Sequence, residues 1–302
     1  MGRISYVTFR DFWLKDLFVS KFGNSFHAFA VEKIPLIQMG QDIVEPIIRA
    51  LDDMNETLQE NDIVIITSKI ISKSENRLVD LRDVEPSKKA KEIGKKTDID
   101  PRRVELTLQQ GKLLGFGNRT ILIENDLGLI MENAGIDNGN FKNTEARDLV
   151  LLLPSDPDKS ARNIRQKFKT HYNTNIGVLI QDSSRRAWRN GHIGLAIGSS
   201  GIKMLDVVYE DPIRKFDLYG VPTRVSQVNV GDQIASIGNL LMGETSDGLP
   251  VIIIRGLHAG DEMETSEILR NSIIRHHENN ELEKSSIFVQ TSPNSFYRKP
   301  TS

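Results

Sequence analysis

The sequence contains no cysteine, so disulfide bonds, thiolate metal sites and a cysteine nucleophile are all excluded. It also lacks an apolar run near the roughly 18 residues that a membrane-spanning helix requires. Neither sign of charge is in large excess, because 39 Lys and Arg residues accompany 41 Asp and Glu residues. Such a balanced chain has no general attraction to nucleic acid or to anionic membranes. We therefore expect a soluble cytoplasmic protein that meets charged ligands at a local site.

Common catalytic motifs are missing as well. The chain has no Gly-x-x-x-x-Gly-Lys-[Ser/Thr] phosphate loop, no Gly-x-Gly-x-x-Gly, no His-Glu-x-x-His and no Gly-x-Ser-x-Gly. Its six histidines show no metal-ligand spacing. Carboxylates, lysines and arginines remain as candidates. This set suits metal-assisted phosphoryl transfer, in which positioning and charge neutralisation provide most of the catalysis.

The 302 residues are enough for one large domain or two modest ones with a sizeable core. Residues 1–24 mix aromatic and charged side chains, and we interpret them as an N-terminal extension without the apolar core of a signal peptide. Residues 276–302 contain a helix end and a polar tail that we expect to be disordered. The main domain then covers 25–275, with a possible subdivision near 150–175.

Apolar periodicity and breaker residues predict an alternation of helices and strands, typical of a mixed α/β fold. Two helices should flank a break at Asp100-Pro101 within the charged region 86–111. The other predicted elements are helices over 42–54, 156–172 and 230–243, and strands over 61–69, 119–126, 127–135, 175–182 and 249–256.

Polar clusters follow several of these elements, at positions where α/β proteins usually present functional groups. In the first cluster, Ser68, Lys69 and Lys73 follow a buried strand. Lysines four residues apart share one helical face and offer point charges to phosphate oxygens. The alternative interpretation is a solvated lysine pair.

The second cluster, "ENAGIDNGN", contains Asn133, Asp137, Asn138 and Asn140 around a turn with glycine. Amide and carboxylate oxygens are the ligands that Mg²⁺ and Mn²⁺ prefer. The alternative is a turn whose Asn and Asp side chains bond to their own backbone.

The third cluster collects both signs of charge at the end of a strand. Asp182 and Ser183 could hold a metal, while Arg185, Arg186 and Arg189 could bind phosphate or carboxylate. A surface network of ion pairs is the alternative.

The fourth cluster places Glu244 and Asp247 after the end of a helix, followed by Gly248. A carboxylate at the negative end of a helix dipole is unfavourable unless a cation binds nearby. The alternative is an exposed polar loop.

Together, six sequence blocks resemble the coenzyme F420:L-glutamate ligase family of archaeal type, in order and in approximate spacing. The resemblance covers about residues 25–275, without a fused nitroreductase domain. The blocks are "IPLIQMGQD", "TSKIISKSENR", "NAGIDNGN", "QDSSRRAWRNGHIGLAIGSSGI", "DLYG" and "NLLMGETSDGLPVIIIRGL". The resemblance implies the α/β ligase fold of that family, with two interleaved subdomains and the active site between them. We expect the N-terminal part to carry the first two clusters and the central part to supply Asp182 and the arginines.

The family's implied reaction uses GTP to phosphorylate a carboxylate of coenzyme F420-0, after which the amine of L-glutamate displaces the phosphate. Further γ-linked glutamates can follow. The resemblance also implies two Mg²⁺ or Mn²⁺ ions, K⁺ and a homodimer. Two other functions stay open: a non-catalytic nucleotide-binding relative, and an amide ligase for a different carboxylate acceptor.

Roles carried over from the family fall on three sets of residues. One metal ion is expected at Asp137 and Asp182 and a second at Ser183 and Glu244. The expected catalytic residues are Lys73, Asp182, Arg186 and Arg189. The expected nucleotide contacts are Ile34, Pro35, Leu36, Ile37, Ser68, Lys69, Lys73, Asn140, Met242, Gly243, Glu244, Thr245, Ser246, Asp247, Gly248 and Leu249.

The chain departs from the family pattern at several positions. Arg185 stands where the family's Asp-Thr-x-Gly-Arg has its glycine, so we expect an altered acceptor pocket and propose that this arginine points into it. Gln41 replaces an aspartate. Asn76 replaces a glycine in Lys-Ala-Glu-Gly-Arg, and asparagine tolerates a positive φ better than most residues.

Overall fold

The structure is a computed structural model that describes residues 25–138, 148–186, 189–207, 219, 227–257, 266 and 269. The predicted extension, the predicted tail, Asn140 and most of "DLYG" lie outside the described residues. The strands are β1 His27–Ala30, β2 Ile63–Thr67, β3 Leu78–Asp80, β4 Gly111–Gly117, β5 Thr120–Asn125, β6 Ile130–Glu132, β7 Leu149–Leu151, β8 Gly177–Arg185, β9 His192–Ser200, β10 Leu205–Val207, β11 Gln227–Asn229 and β12 Val251–Arg255. The helices are α1 Val44–Asp53, α2 Ser68–Ser74, α3 Lys88–Thr97, α4 Pro101–Leu108, α5 Pro157–Tyr172 and α6 Val230–Met242, with short 3₁₀ turns at Leu81–Asp83 and Asn133–Gly135.

The main sheet has five strands in the order β1-β12-β2-β8-β9. β2 and β8 pair in parallel, whereas the other neighbours pair antiparallel. β2 reads Ile-Val-Ile-Ile-Thr, and its β-branched side chains suit a strand that is covered on both faces. Because β2 and β8 run the same way, the segments after them emerge at the same edge of the sheet.

Helices cover both faces of this sheet. On one face, alternate residues of β2, β8 and β12 form a core with α1 and α5, including Ile66, Ile180 and Phe168. On the other face, Ile65, Leu179 and the remaining alternate residues pack against α6. The period of two along each strand therefore divides the buried side chains between two hydrophobic cores.

Two glycines of β9 allow the helices to approach its backbone. A Cβ at Gly194 would lie 2.2 Å from the carbonyl oxygen of Ala235 in α6. A Cβ at Gly198 would lie 2.5 Å from Pro157 in α5. Any larger residue would push a helix away from the strand.

A second, smaller unit is inserted between α2 and α5. We call residues 78–138 and 148–152 the inserted unit. It contains α3, α4, the three-stranded sheet β4-β5-β6 and the antiparallel pair β3–β7. Its core is separate from those of the main sheet and includes Ile93, Val104, Ile121, Ile123 and Val150.

The mixed α/β fold is confirmed, and so are the helices predicted within the described residues and the predicted break at Asp100-Pro101. The side chain of Asp100 accepts from the amide of Arg102 and so caps α4, while Pro101 occupies the first turn. No helix in the part of the chain that the structure describes combines the length and apolar character that a membrane crossing needs.

The polar clusters are distributed differently from our expectation. The first cluster follows β2, the third lies at the C-terminal end of the neighbouring strand β8, and the second belongs to the inserted unit. The physical reason is the parallel pairing of β2 with β8, which joins segments more than a hundred residues apart.

Candidate functional site

Ser68 and Asp182 form the centre of the candidate site. Thr67 pairs with Gln181 at the end of the parallel ladder, which places the next residues side by side. The Ser68 hydroxyl donates to the Asp182 carboxylate over 2.6 Å. The first and third clusters of the sequence therefore form one arrangement.

The Asp182 carboxyl is electrostatically strained. Burial raises its pKa to about 6, and the negative charge of Asp137 acts in the same direction. The hydrogen bond from Ser68, the charge of Lys69 and the backbone amide of Ser183 oppose this effect. A carboxylate kept negative at neutral pH in such surroundings favours a cation beside it.

The inserted unit contributes Asp137 to the candidate site. Its Oδ2 lies 2.8 Å from Nζ of Lys69. Its backbone forms an isolated bridge with Leu151, with hydrogen bonds of 3.0 and 2.8 Å. The candidate site thus combines α2, the end of β8 and the inserted unit.

Lys69 and Lys73 share one face of α2, as their spacing predicts. Lys73 is buried, and desolvation lowers its pKa, helped by the charge of Lys69 and opposed by that of Asp137. Two ammonium groups near two carboxylates make this edge of the sheet rich in both signs of charge. Such an arrangement can hold phosphate oxygens and a cation together.

The segment Ile34–Ile37 precedes a turn that contacts the end of α2. The amide of Gly40 donates to the carbonyl of Lys73 over 2.9 Å. Ile37 is buried, whereas Leu36 is 67% exposed and Pro35 is also exposed. Exposed apolar side chains of this kind can offer a surface for an apolar group of a ligand.

Asn76 shows why asparagine can stand in for the family's glycine. It adopts a φ of 56°, in the left-handed region. Gly40 also has a positive φ, and a Cβ there would come within 3.1 Å of the Asn76 side chain. The two turns therefore contact each other closely.

The fourth cluster borders the same edge of the sheet. α6 ends at Met242 and is capped by Gly243, and the carbonyl of Pro250, after the loop, accepts from the amide of Thr67 over 3.0 Å. Met242 Sδ accepts from Gln181 Nε2 over 3.0 Å. In the loop between Met242 and Pro250, Leu249 is partly buried. The other loop residues are exposed: Gly243, Glu244, Thr245, Ser246, Asp247 and Gly248.

The two residues expected to hold a second metal ion, Ser183 and Glu244, have separate surroundings in the structure. Glu244 accepts from Nδ2 of Asn239 over 2.9 Å, and Ser183 is partly buried on β8. Because successive strand residues face opposite sides of a sheet, Ser183 lies on the other face of β8 from Asp182.

Two arginines of the third cluster form ion pairs with acidic residues that the sequence reasoning missed. Arg185 lies 3.7 Å from Glu132 of the inserted unit, and Arg186 lies 3.4 Å from Asp232 of α6. Arg189 is exposed, and its amide donates to the carbonyl of Arg186. No sequence signal identified these partners, because both are ordinary polar positions of a short strand and a helix N-terminus.

Asp232 is held firmly by its neighbours. Its side chain accepts from the amide of Ala196 over 2.9 Å and from Nδ2 of Asn229 over 2.7 Å. Asn229 in turn caps α6 by accepting from the Asp232 amide. Arg186 therefore meets a carboxylate whose position is already fixed.

The donor set fits a divalent ion that is shared with phosphate groups. In the described ranges, no three His, Cys, Asp or Glu side chains are grouped closely enough to hold a metal. Mg²⁺ is usually bound by one or two carboxylates, with substrate phosphates and water completing its octahedron. Asp137 and Asp182, coupled electrostatically and balanced by Lys69, match that requirement.

Comparison with known proteins agrees with the resemblance seen in the sequence blocks. A sequence model of the family described as F420-0:gamma-glutamyl ligase matches residues 32–256. Proteins named coenzyme F420:L-glutamate ligase are similar to this chain. The one from Archaeoglobus fulgidus is 35% identical over 243 residues, which is 80% of this chain and 92% of the relative.

Two further relatives of the same name give the same result. The protein from Methanopyrus kandleri is 35% identical over 231 residues, covering 75% of this chain and 86% of the relative. The protein from Methanosarcina mazei is 34% identical over 245 residues, covering 80% and 90%. Because the match includes four strands of the main sheet and the inserted unit, the chain belongs to the F420-0:gamma-glutamyl ligase family.

Proposed function

We propose that the protein is a GTP-dependent ligase that adds L-glutamate to coenzyme F420-0 through an acyl phosphate. Family membership and relatives named for glutamate ligation support the reaction type. The observation that carries the proposal is the convergence of Ser68, Lys69, Asp137 and Asp182 at one edge of the main sheet. This group provides cation-binding oxygens and phosphate-binding ammonium groups in one place.

In the first step, an oxygen of the acceptor carboxylate attacks the γ-phosphorus of GTP, and the bond to the β,γ-bridging oxygen breaks to release GDP. Both reactants are anions, so their approach requires positive charge. Lys69 and Lys73 lie on one face of α2 and would hold phosphate oxygens there. The segment from Met242 to Leu249, exposed over Gly243–Gly248, and the segment Ile34–Ile37 would hold the rest of the nucleotide.

In the second step, the neutral amine of glutamate attacks the acyl carbon, phosphate leaves, and the nitrogen gives one proton to solvent as the amide forms. Arg186 and Arg189 would hold an anionic group of the substrates during this step. Arg186 uses Nη2 on Asp232, and a guanidinium carries five N–H donors in all. The fixed carboxylate of Asp232 therefore aligns the arginine without satisfying all of its donors.

Asp137 and Asp182 would hold one Mg²⁺ or Mn²⁺ ion, and Ser183 and Glu244 a second. When bound, these ions neutralise phosphate charge and polarise the phosphorus–oxygen bonds. We further propose a requirement for K⁺ and a homodimeric state, both from the family resemblance. Further γ-linked additions would repeat the same two steps on the growing glutamate tail.

A single assay tests the function. The purified protein is incubated with GTP, Mn²⁺, L-glutamate and coenzyme F420-0, and mass spectrometry follows the coenzyme. We expect the mass of one or more glutamyl residues to be added, together with GDP and phosphate in equal amounts. Tight GTP binding without product would instead support a non-catalytic nucleotide-binding protein. Product formation only with another carboxylate would identify a different acceptor.

A further inference from the structure

Arg103 donates hydrogen bonds to the backbone of Ile136 and to the side chain of Asn138, the two residues that flank Asp137. It is partly buried on α4 of the inserted unit. Its Nη2 donates to the carbonyl oxygen of Ile136 over 2.8 Å, and its Nη1 donates to Oδ1 of Asn138. One guanidinium therefore holds the residue before Asp137 and the residue after it.

The backbone of Asp137 is held from another direction by β7. Its amide donates to the carbonyl of Leu151 over 3.0 Å, and its carbonyl accepts from the Leu151 amide over 2.8 Å. With Arg103 on the neighbouring residues, this short segment is held from two sides. The Asp137 side chain is then directed to Lys69, 2.8 Å away.

The residue type matters for this arrangement. A planar guanidinium can reach two acceptors at once, whereas the ammonium of lysine acts as a single point charge. Desolvation lowers the pKa of Arg103, and the negative charge of Asp137 opposes that effect. The chain therefore carries the cost of a partly buried charge at a point where it can hold the two residues that flank Asp137.

We propose that Arg103 is a positioning residue that holds Asp137 in the geometry needed to bind a divalent ion. The inference rests on the proposed function, in which Asp137 is a metal ligand. Arg103 contacts the residues that flank the ligand, so it acts through Asp137. Residues that orient metal ligands typically change metal affinity by about 10- to 100-fold when they are removed.

A purely structural role is the competing explanation, since Arg103 also ties α4 to the turn at Ile136. Loss of a structural bond would lower thermal stability but would leave the metal affinity of the folded protein unchanged. Metal affinity and stability therefore have to be measured separately. Arg119, an arginine of the inserted unit, provides the control. Its side chain is 73% exposed, and its ion pair is with Asp98, at 3.5 Å, and not with the residues that flank Asp137.

The experiment measures Mn²⁺ binding to the full-length protein by the electron paramagnetic resonance signal of free Mn²⁺, first with Mn²⁺ alone and then with GDP added. The variants are Arg103→Met, Arg103→Lys and Arg119→Gln, with folding checked by circular dichroism. We expect Arg103→Met to weaken Mn²⁺ binding about 10- to 100-fold, Arg103→Lys to recover part of the loss, and Arg119→Gln to match the wild type.

Asp137→Asn completes the test. If Arg103 acts through Asp137, adding Arg103→Met to Asp137→Asn causes little further loss of Mn²⁺ affinity. Wild-type affinity in folded Arg103→Met, or an equal loss in both backgrounds, would overturn the inference. If Arg103→Met does not fold, the same comparison is made with Arg103→Lys.

The inference and the proposed function can fail separately. Binding that depends on Arg103 without glutamyl transfer would support the inference and contradict the ligase proposal. A wild-type protein that binds no Mn²⁺ in either condition would overturn the inference, because Asp137 would then have no ion to hold.

Discussion

The hydroxyl of Ser68 donates a 2.6 Å hydrogen bond to the carboxylate of Asp182, although the two residues are 114 positions apart. The bond lies just beyond the last pair of the parallel ladder, Thr67 with Gln181, where β2 ends and β8 continues. It joins the start of α2, with its two lysines, to the carboxylate whose charge is most costly in the site. Ser68 therefore links the predicted phosphate-binding and metal-binding groups.

Replacing Ser68 with alanine should raise the pKa of Asp182 further, because the hydroxyl now stabilises the ionised carboxylate. The lost bond to a charged group should lower the free energy of unfolding by about 1 to 3 kcal/mol at neutral pH. Urea unfolding and the pH profile of Mn²⁺ binding measure the two effects. Ser74→Ala, also on α2, is the control, since Ser74 donates to the carbonyl of Ile71. An unchanged pH profile in Ser68→Ala would contradict the assignment.

Asp182→Asn should make the metal-free protein more stable above pH 6. Folding raises the Asp182 pKa from 3.8 to about 6, so its contribution is fully favourable below pH 3.8 and is lost as pH rises through 6. One pKa unit corresponds to about 1.4 kcal/mol, so the loss amounts to at most about 3 kcal/mol. Asparagine keeps the acceptor for Ser68 and has no charge to desolvate. The difference in unfolding free energy between wild type and variant, measured in chelator from pH 4.5 to 7.5, should grow with pH. A difference that does not vary with pH would contradict this account.

The same substitution should abolish ligation. An amide keeps the shape of the carboxylate but lacks the negative charge that a divalent ion requires. Mn²⁺ should raise the melting temperature of the wild type and leave that of Asp182→Asn nearly unchanged. Near-normal turnover of the variant at limiting Mn²⁺ would show that Asp182 is not a metal ligand.

Arg185→Gly should raise the KM for the coenzyme acceptor about tenfold and leave the KM for GTP nearly unchanged, if Arg185 binds an anionic part of the acceptor. In the structure its side chain is 39% exposed and lies 3.7 Å from Glu132. Glu132→Gln should then lower the acceptor KM by removing the ion pair that competes with the acceptor for the guanidinium. Steady-state kinetics on both variants measure the KM for the acceptor and for GTP. Equal acceptor KM values in Arg185→Gly and wild type would show that Arg185 does not bind the acceptor.

Gly194→Ala should destabilise the protein by about 1 to 3 kcal/mol, because the new Cβ would lie 2.2 Å from the backbone of α6 and the helix would have to shift. Gly115→Ala in β4 is the matched control, since a Cβ there meets nothing within 4 Å. Thermal unfolding of both variants compares them. A Gly194→Ala variant as stable as the control would show that α6 can move away from β9 without cost.

By itself, the sequence determined the local structure of much of the chain. Apolar periodicity identified α1, α5 and α6, and the run of β-branched residues identified β2 and β12. The Asp100-Pro101 pair marked the start of α4, and the spacing of Lys69 and Lys73 placed both on one helical face. These features depend on neighbours within a few residues, where backbone geometry and side-chain period are sufficient.

Some strands escaped prediction because their local preference for strand structure was weak. β4 reads Gly-Lys-Leu-Leu-Gly-Phe-Gly, in which three glycines disfavour a strand, and it forms by pairing with β5. β3 and β7 have three residues each and stabilise one another across the inserted unit. Such strands are specified by their partners more than by their own sequence.

Only the tertiary structure decided which distant residues meet. Strand order placed Ser68 beside Asp182, and the inserted unit brought Asp137 to Lys69 and Arg103 to the two residues that flank Asp137. It also paired Arg185 and Arg186 with Glu132 and Asp232. A charged side chain can take any partner that the chain fold brings within reach, so the identity of that partner follows from strand pairing and helix packing over long sequence separations.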